Sequence, residues 1–93
     1  MAFERVRDDL APDTLLAQVQ QVWREAVGAA IALEAQPTRE RGGVVTVSCS
    51  ASVWAQELDL MAPAILERLN ELLPGRRVTR LRCVATPPRD PSF

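Results

Sequence analysis

All eleven basic residues of this 93-residue chain are arginine, and five of them, Arg76, Arg77, Arg80, Arg82 and Arg89, crowd the last eighteen residues against one acid, Asp90. In RRVTRLR the spacing of two puts Arg80 and Arg82 on the same side of an extended strand, with origins about 7 Å apart. That repeat is close to the spacing of successive phosphates along a nucleic-acid strand, and a planar guanidinium fork suits phosphate oxygens. The plainer alternative is a solvated sheet face. No aromatic residue falls on that side of the strand to stack bases, so sequence-specific reading of a single strand is not expected.

Other chemistry is harder to assemble. There is no histidine, the commonest general base and metal ligand. Cys49 and Cys83 are the only cysteines, and each falls on the apolar face of an expected strand, where a thiol is a small core residue and inert. Glu57 and Asp59 are close in sequence but point to different sides of a helix, so they do not converge on a substrate. Arg41-Gly42-Gly43 is too short for a phosphate loop. The residues therefore predict no catalysis, no metal, no cofactor and no small-molecule substrate. The net charge of −1 argues against a protein that coats nucleic acid indiscriminately, while a local arginine stripe permits a defined contact.

The elements that must position these groups follow from periodicity. Asp13 or Thr14 can cap a first helix whose apolar set is Leu15, Leu16, Val19, Val22, Trp23, Ala26, Val27, Ala30 and Ile31. Gly28 marks either close packing or the end of that helix. Leu33 to Arg41 reads as a weak strand with Leu33, Ala35 and Pro37 on one face; its proline predicts an edge position or a bulge. Arg41-Gly42-Gly43 then folds the chain back onto Val44 to Ser50, where Val45, Val47 and Cys49 alternate with Val44, Thr46 and Ser48.

From Trp54 the apolar spacing turns helical, through Leu58, Met61, Ile65, Leu69 and Leu72, with Ser50 and Ser52 available as caps. Pro63 predicts two helices, about 52–61 and 63–73, or one helix sharply kinked there. Pro74-Gly75 ends this stretch, and Arg76 to Ala85 forms the last strand, with Thr79, Leu81 and Cys83 inward and Arg76, Arg80 and Arg82 outward. Trp23 and Trp54 are expected as core anchors, one per helix; the alternative for Trp54 is a partly exposed place at a partner surface. The resulting order is α-β-β-α-α-β. It predicts an α+β domain with a three-stranded mixed sheet, Val44 to Ser50 in the middle, helices on one face, and Glu34, Thr46, Ser48, Arg80 and Arg82 on the open one.

Several signatures line up in order along this frame. Trp23-x3-Val27-Gly28 is followed by Ile31-Ala32 and Pro37. Val45-x-Val47 leads into Ser52-Val53-Trp54-Ala55-x-Glu57-Leu58; then come Ile65-Leu66-x-Arg68-Leu69-Asn70 and Val78-Thr79-x-Leu81-Arg82. Over residues 14–84 the chain resembles the DciA family, long catalogued as a domain of unknown function. The resemblance implies a KH-like fold of type II. It also implies a non-enzymatic accessory role in DNA replication: binding the DnaB-type replicative helicase and DNA and assisting helicase loading.

Nucleic-acid-binding KH domains carry Gly-x-x-Gly between two helices, and here that junction is Met61-Ala62-Pro63-Ala64. A DNA contact is therefore expected elsewhere, at Arg76, Arg77, Arg80 and Arg82. The frame divides into a flexible lead-in at 1–12, one domain at 13–85 and a disordered proline-rich tail at 86–93. No apolar run reaches the roughly 20 residues of a membrane span, and the start lacks the apolar run of a signal peptide, so a cytoplasmic, nucleoid-associated protein is expected. Rival readings are a protein-interaction module whose arginines meet an acidic partner, a KH-like RNA binder, and a homodimer through the sheet.

Overall fold

The computed structural model describes residues 14–75 and 78–85. The expectations for residues 1–12, for the tail 86–93, and for Asp13, Arg76 and Arg77 lie outside the described residues.

Helix α1 spans Leu15–Val27, and the Thr14 hydroxyl starts it by accepting the Ala17 N–H at 3.0 Å. Leu15, Val19 and Trp23 form its buried stripe. The helix stops at Gly28, whose φ of +95° would strain any side chain, and nothing lies within 4 Å of where a Cβ would sit. Gly28 is thus selected for its backbone, not for close packing. The chain restarts as the short helix α2, Ala29–Glu34.

Strand β1, Ala35–Arg41, returns through the positive-φ pair Gly42–Gly43 into β2, Val44–Cys49, antiparallel to it. Helix α3, Ser52–Leu72, then crosses to β3, Arg80–Ala85, which lies parallel to β2. The sheet order is β1-β2-β3, so β2 is central and the Pro37 strand is an edge. Ala35, Val45, Val47, Cys49 and Leu81 line the inner face, and the buried stripes of α1 and α3 close over them. This is an α+β domain with a mixed three-stranded sheet, compatible with the KH-like fold.

Several details depart from the periodicity. Of the two expectations for Pro63 the single helix is the one found: one uninterrupted helix passes through it, not two. Breaking the helix would avoid a cost of about 3 kcal/mol, but Leu58 on one side of Pro63 and Ile65 and Leu69 on the other share one buried stripe. Full burial of such side chains is worth about 1.5–3 kcal/mol each, so keeping the stripe continuous wins. Pro63 itself is exposed, which leaves water to satisfy the carbonyl it orphans. The helical break falls at Gly28 instead.

The expected serine caps are absent. Ala51 is the N-cap of α3 without a side-chain bond, and the Ser50 hydroxyl donates to the Glu34 carboxylate. Leu33 belongs to α2 and is 80% exposed, not on the buried face of β1. The last strand begins at Arg80, and Val78, not Thr79, turns into the core. The reason is Asn70: its Oδ1 accepts the Val78 N–H at 2.8 Å and its Nδ2 donates to the Val78 carbonyl at 3.0 Å. That side chain replaces the sheet ladder for one residue and frees Val78 from strand alternation.

A candidate nucleic-acid interface on the open sheet face

Cross-strand register decides which side chains share the outer face. Arg80 of β3 stands opposite Val44, and Arg82 opposite Thr46. On the other side of β2, Arg41 faces Val44 and Arg39 faces Thr46. Val44 and Thr46 project away from the buried Val45 and Val47, so all four arginines lie on one surface, two on each flank of β2. With strands about 4.8 Å apart and about 6.7 Å between alternate residues, their Cα atoms mark a rectangle of roughly 10 by 7 Å. Arg39, Arg41, Arg82, Val44 and Thr46 line a shallow depression there.

A bulge produces this arrangement. Pro37 is paired with Val47 and Arg39 with Thr46, so Thr38 is an extra residue between consecutive pairs. Its hydroxyl sits 3.1 Å from that of Ser48. Without the bulge, strict alternation after Pro37 would have turned Arg39 inward and Glu40 outward. With it, Glu40 is opposite the buried Val45 and its carboxylate accepts the Gly43 N–H at 2.8 Å, tying down the hairpin.

The four guanidinium groups are exposed, and none takes part in an ion pair among the described residues, where the ion pair found is Arg68–Glu71 at 3.7 Å on α3. Like charges about 7 Å apart repel by roughly 0.6 kcal/mol in water. A polyanion laid across them relieves that repulsion while it displaces its own counterions.

Of the arginines singled out from the sequence, Arg80 and Arg82 are on this face; Arg76 and Arg77 lie outside the described residues. Local alternation does not mark Arg39 and Arg41 as outward, because counted strictly from Pro37 it would point both inward. Pro37 was the available signal, since a proline in a ladder announces a bulge, and a bulge moves every later side chain to the other face.

Other groups offer less. Residues 61–64, where a Gly-x-x-Gly loop would lie, sit inside α3, so their backbone is part of the helical ladder and offers phosphates no open loop. Trp23 is buried and its Nε1 donates to the Ala35 carbonyl at 2.8 Å; Trp54 is half-buried against the core. Burial, and then the nearby Asp59 carboxylate, raise the pKa of both Cys49 and Cys83, the latter pushed up to about 12. Such thiols stay protonated and unreactive at neutral pH. Among the described residues no group of three or more His, Cys, Asp or Glu side chains is placed to hold a metal ion, and no helix is long and apolar enough to cross a membrane.

Residues 4–83 match the sequence pattern of the family described as "Dna[CI] antecedent, DciA". Curated relatives carry the name UPF0232 protein. That of Bifidobacterium longum is 31% identical over 72 residues, covering 77% of this chain and 46% of the relative. That of Streptomyces avermitilis is 40% identical over 67 residues, 70% of this chain and 36% of the relative. That of Mycobacterium ulcerans is 33% identical over 84 residues, 90% of this chain and 42% of the relative. The chain thus spans less than half the length of these relatives.

Proposed function

Because the chain belongs to the DciA family, a membership that supports a helicase-loader type of role in general, we propose that it is a non-enzymatic replication accessory protein that binds a DnaB-type replicative helicase and DNA. On this reading the domain at 13–85 carries both contacts, and the protein works in the cytoplasm at the nucleoid. Its DNA site is the open sheet face, formed by Arg39, Arg41, Arg80 and Arg82, with Arg76 and Arg77 extending it.

The observation that carries the reading is the arginine quartet, free of ion pairs among the described residues, flanking Val44 and Thr46 on one surface. Four fixed cations around Thr46 suit the sugar–phosphate backbone, and the lack of an aromatic side chain there removes base stacking as a source of sequence preference. Binding is accordingly electrostatic and indifferent to sequence.

Fluorescence anisotropy with a labelled oligonucleotide tests this. The parent binds at low salt, and the double variant Arg39→Glu/Arg82→Glu loses at least tenfold in affinity with an unchanged circular dichroism spectrum. Equal affinity of parent and variant removes the sheet face as the site. A parent that binds helicase but no DNA at low salt favours a protein-interaction module, and a preference for RNA with no helicase binding favours the RNA-binding reading.

A further inference from the structure

The outward crest of α3 exposes large apolar side chains among its charged ones. Its core-facing stripe is Ala55, Leu58, Ile65 and Leu69. Stepping 100° per residue, the positions on the opposite side are 53, 56, 60, 64, 67 and 71. Val53 is 57% exposed and Leu60 80% exposed, one heptad apart, with the exposed Ala64 one turn further on. Met61, 38% exposed, widens the patch on one flank.

Around and beyond these apolar residues the crest is acidic. Glu57 stands between Val53 and Leu60, and Glu67 and Glu71 continue the line; all three are exposed, and of these Glu71 is paired, with Arg68. Val53 and Leu60 are thus an apolar pair one heptad apart, the repeat at which two packed helices meet, with Glu57, Glu67 and Glu71 around and beyond them.

We propose that this crest docks a helix of the protein partner, one with apolar side chains a heptad apart and lysines or arginines flanking them to meet Glu57, Glu67 and Glu71. The apolar pair supplies the contact area, and the carboxylates select a basic helix and disfavour an acidic one. The same carboxylates repel nucleic acid, which keeps DNA on the arginine side. Because α3 and the sheet sandwich the core, crest and arginines point in opposite directions, so the partner helix and DNA are held at once, without competing. The inference rests on the reading that the partner is the replicative helicase.

The test uses the full chain, the purified replicative helicase of the same organism and a fluorescent oligonucleotide. Leu60→Glu and the charge reversal Glu57→Lys/Glu67→Lys alter exposed positions, so the fold is retained and circular dichroism checks it. Each is expected to weaken helicase binding at least tenfold while DNA affinity stays within twofold of the parent or, for the lysine variant, rises. Saturating DNA leaves helicase binding to the parent unchanged.

If the parent binds helicase and both variants bind equally well, the crest is not the docking site and the helicase reading survives. If the parent binds no helicase, that reading falls and the docking proposal with it. DNA that displaces the helicase overturns the opposite-face arrangement. A self-association abolished by Leu60→Glu in sedimentation, with helicase binding intact, makes a second copy the occupant and overturns the partner helix.

Discussion

Asn70 and Trp23 each use one polar side chain to satisfy a backbone group of another element, and both are positions where a conservative exchange should cost more than its size suggests. Trp23→Phe keeps most of the apolar volume but leaves the Ala35 carbonyl without its donor at a buried position. An unsatisfied buried group costs about 1–3 kcal/mol, and urea denaturation should show a loss in that range. Asn70→Ala removes both bonds to Val78, so a loss of about 2 kcal/mol or more is expected, with faster amide exchange at Val78. The thiols act in another pH range. Their folded pKa values lie above the ordinary ones, Cys83 at about 12, so unfolded thiols ionise first and the unfolded state binds fewer protons. Stability is therefore unaffected by them at neutral pH and falls as pH rises from about 9 toward 12. Cys83→Ala should flatten that fall in alkaline denaturation, and alkylation of either thiol at pH 8 should need denaturant. At this scale the sequence told which residues are apolar enough to bury, and Cys49, Val45 and Val47 were legible from alternation alone. The Asn70 clamp was not, because an amide's partner is set by tertiary approach across eight residues rather than by any local period.

Elements are legible in the sequence where burial and local signals agree, and stay ambiguous where they compete. The hairpin at Gly42–Gly43 and the central place of β2 had both a turn signal and a buried alternation behind them. Pro63 set a local breaker against a continuous apolar stripe, and the stripe prevailed. Pro63→Ala should therefore restore a helical hydrogen bond without disturbing the fold and raise stability by about 1–3 kcal/mol in thermal or urea denaturation. Gly28 carries the opposite expectation. A Cβ meets no neighbour there, but φ of +95° is costly for any other residue, so Gly28→Ala should lower stability by about 1 kcal/mol or more.

For the molecule as a whole, the charge is arranged by layer. A net charge near zero hides an acidic helix crest on one side and four unpaired arginines on the other. Each phosphate contact adds about 0.9 to the slope of log affinity against log salt for duplex DNA. Removing Arg39 and Arg82 together should reduce that slope by nearly 2, whereas a Glu57→Gln/Glu67→Gln variant, far from the face, should leave it unchanged. The contrast separates direct phosphate contact from a general effect of net charge. Half of the face was legible from RRVTRLR. The other half was concealed because its sequence, Arg39-Glu40-Arg41, gives no sign of which charge points outward until register is known.

The bulge at Thr38 has a bearing on how this surface tolerates changes in chain length. Losing one residue from an ordinary strand inverts every side chain between the lesion and the next turn. Here the ladder already skips one position, so excising Thr38 would only regularise the pairing: Pro37 would stay opposite Val47, Arg39 opposite Thr46 and Arg41 opposite Val44. The strand thus holds a spare link, and single-residue gaps at this point in related sequences should be silent for the cationic display, while a gap two residues later should turn one of the two β1 arginines inward.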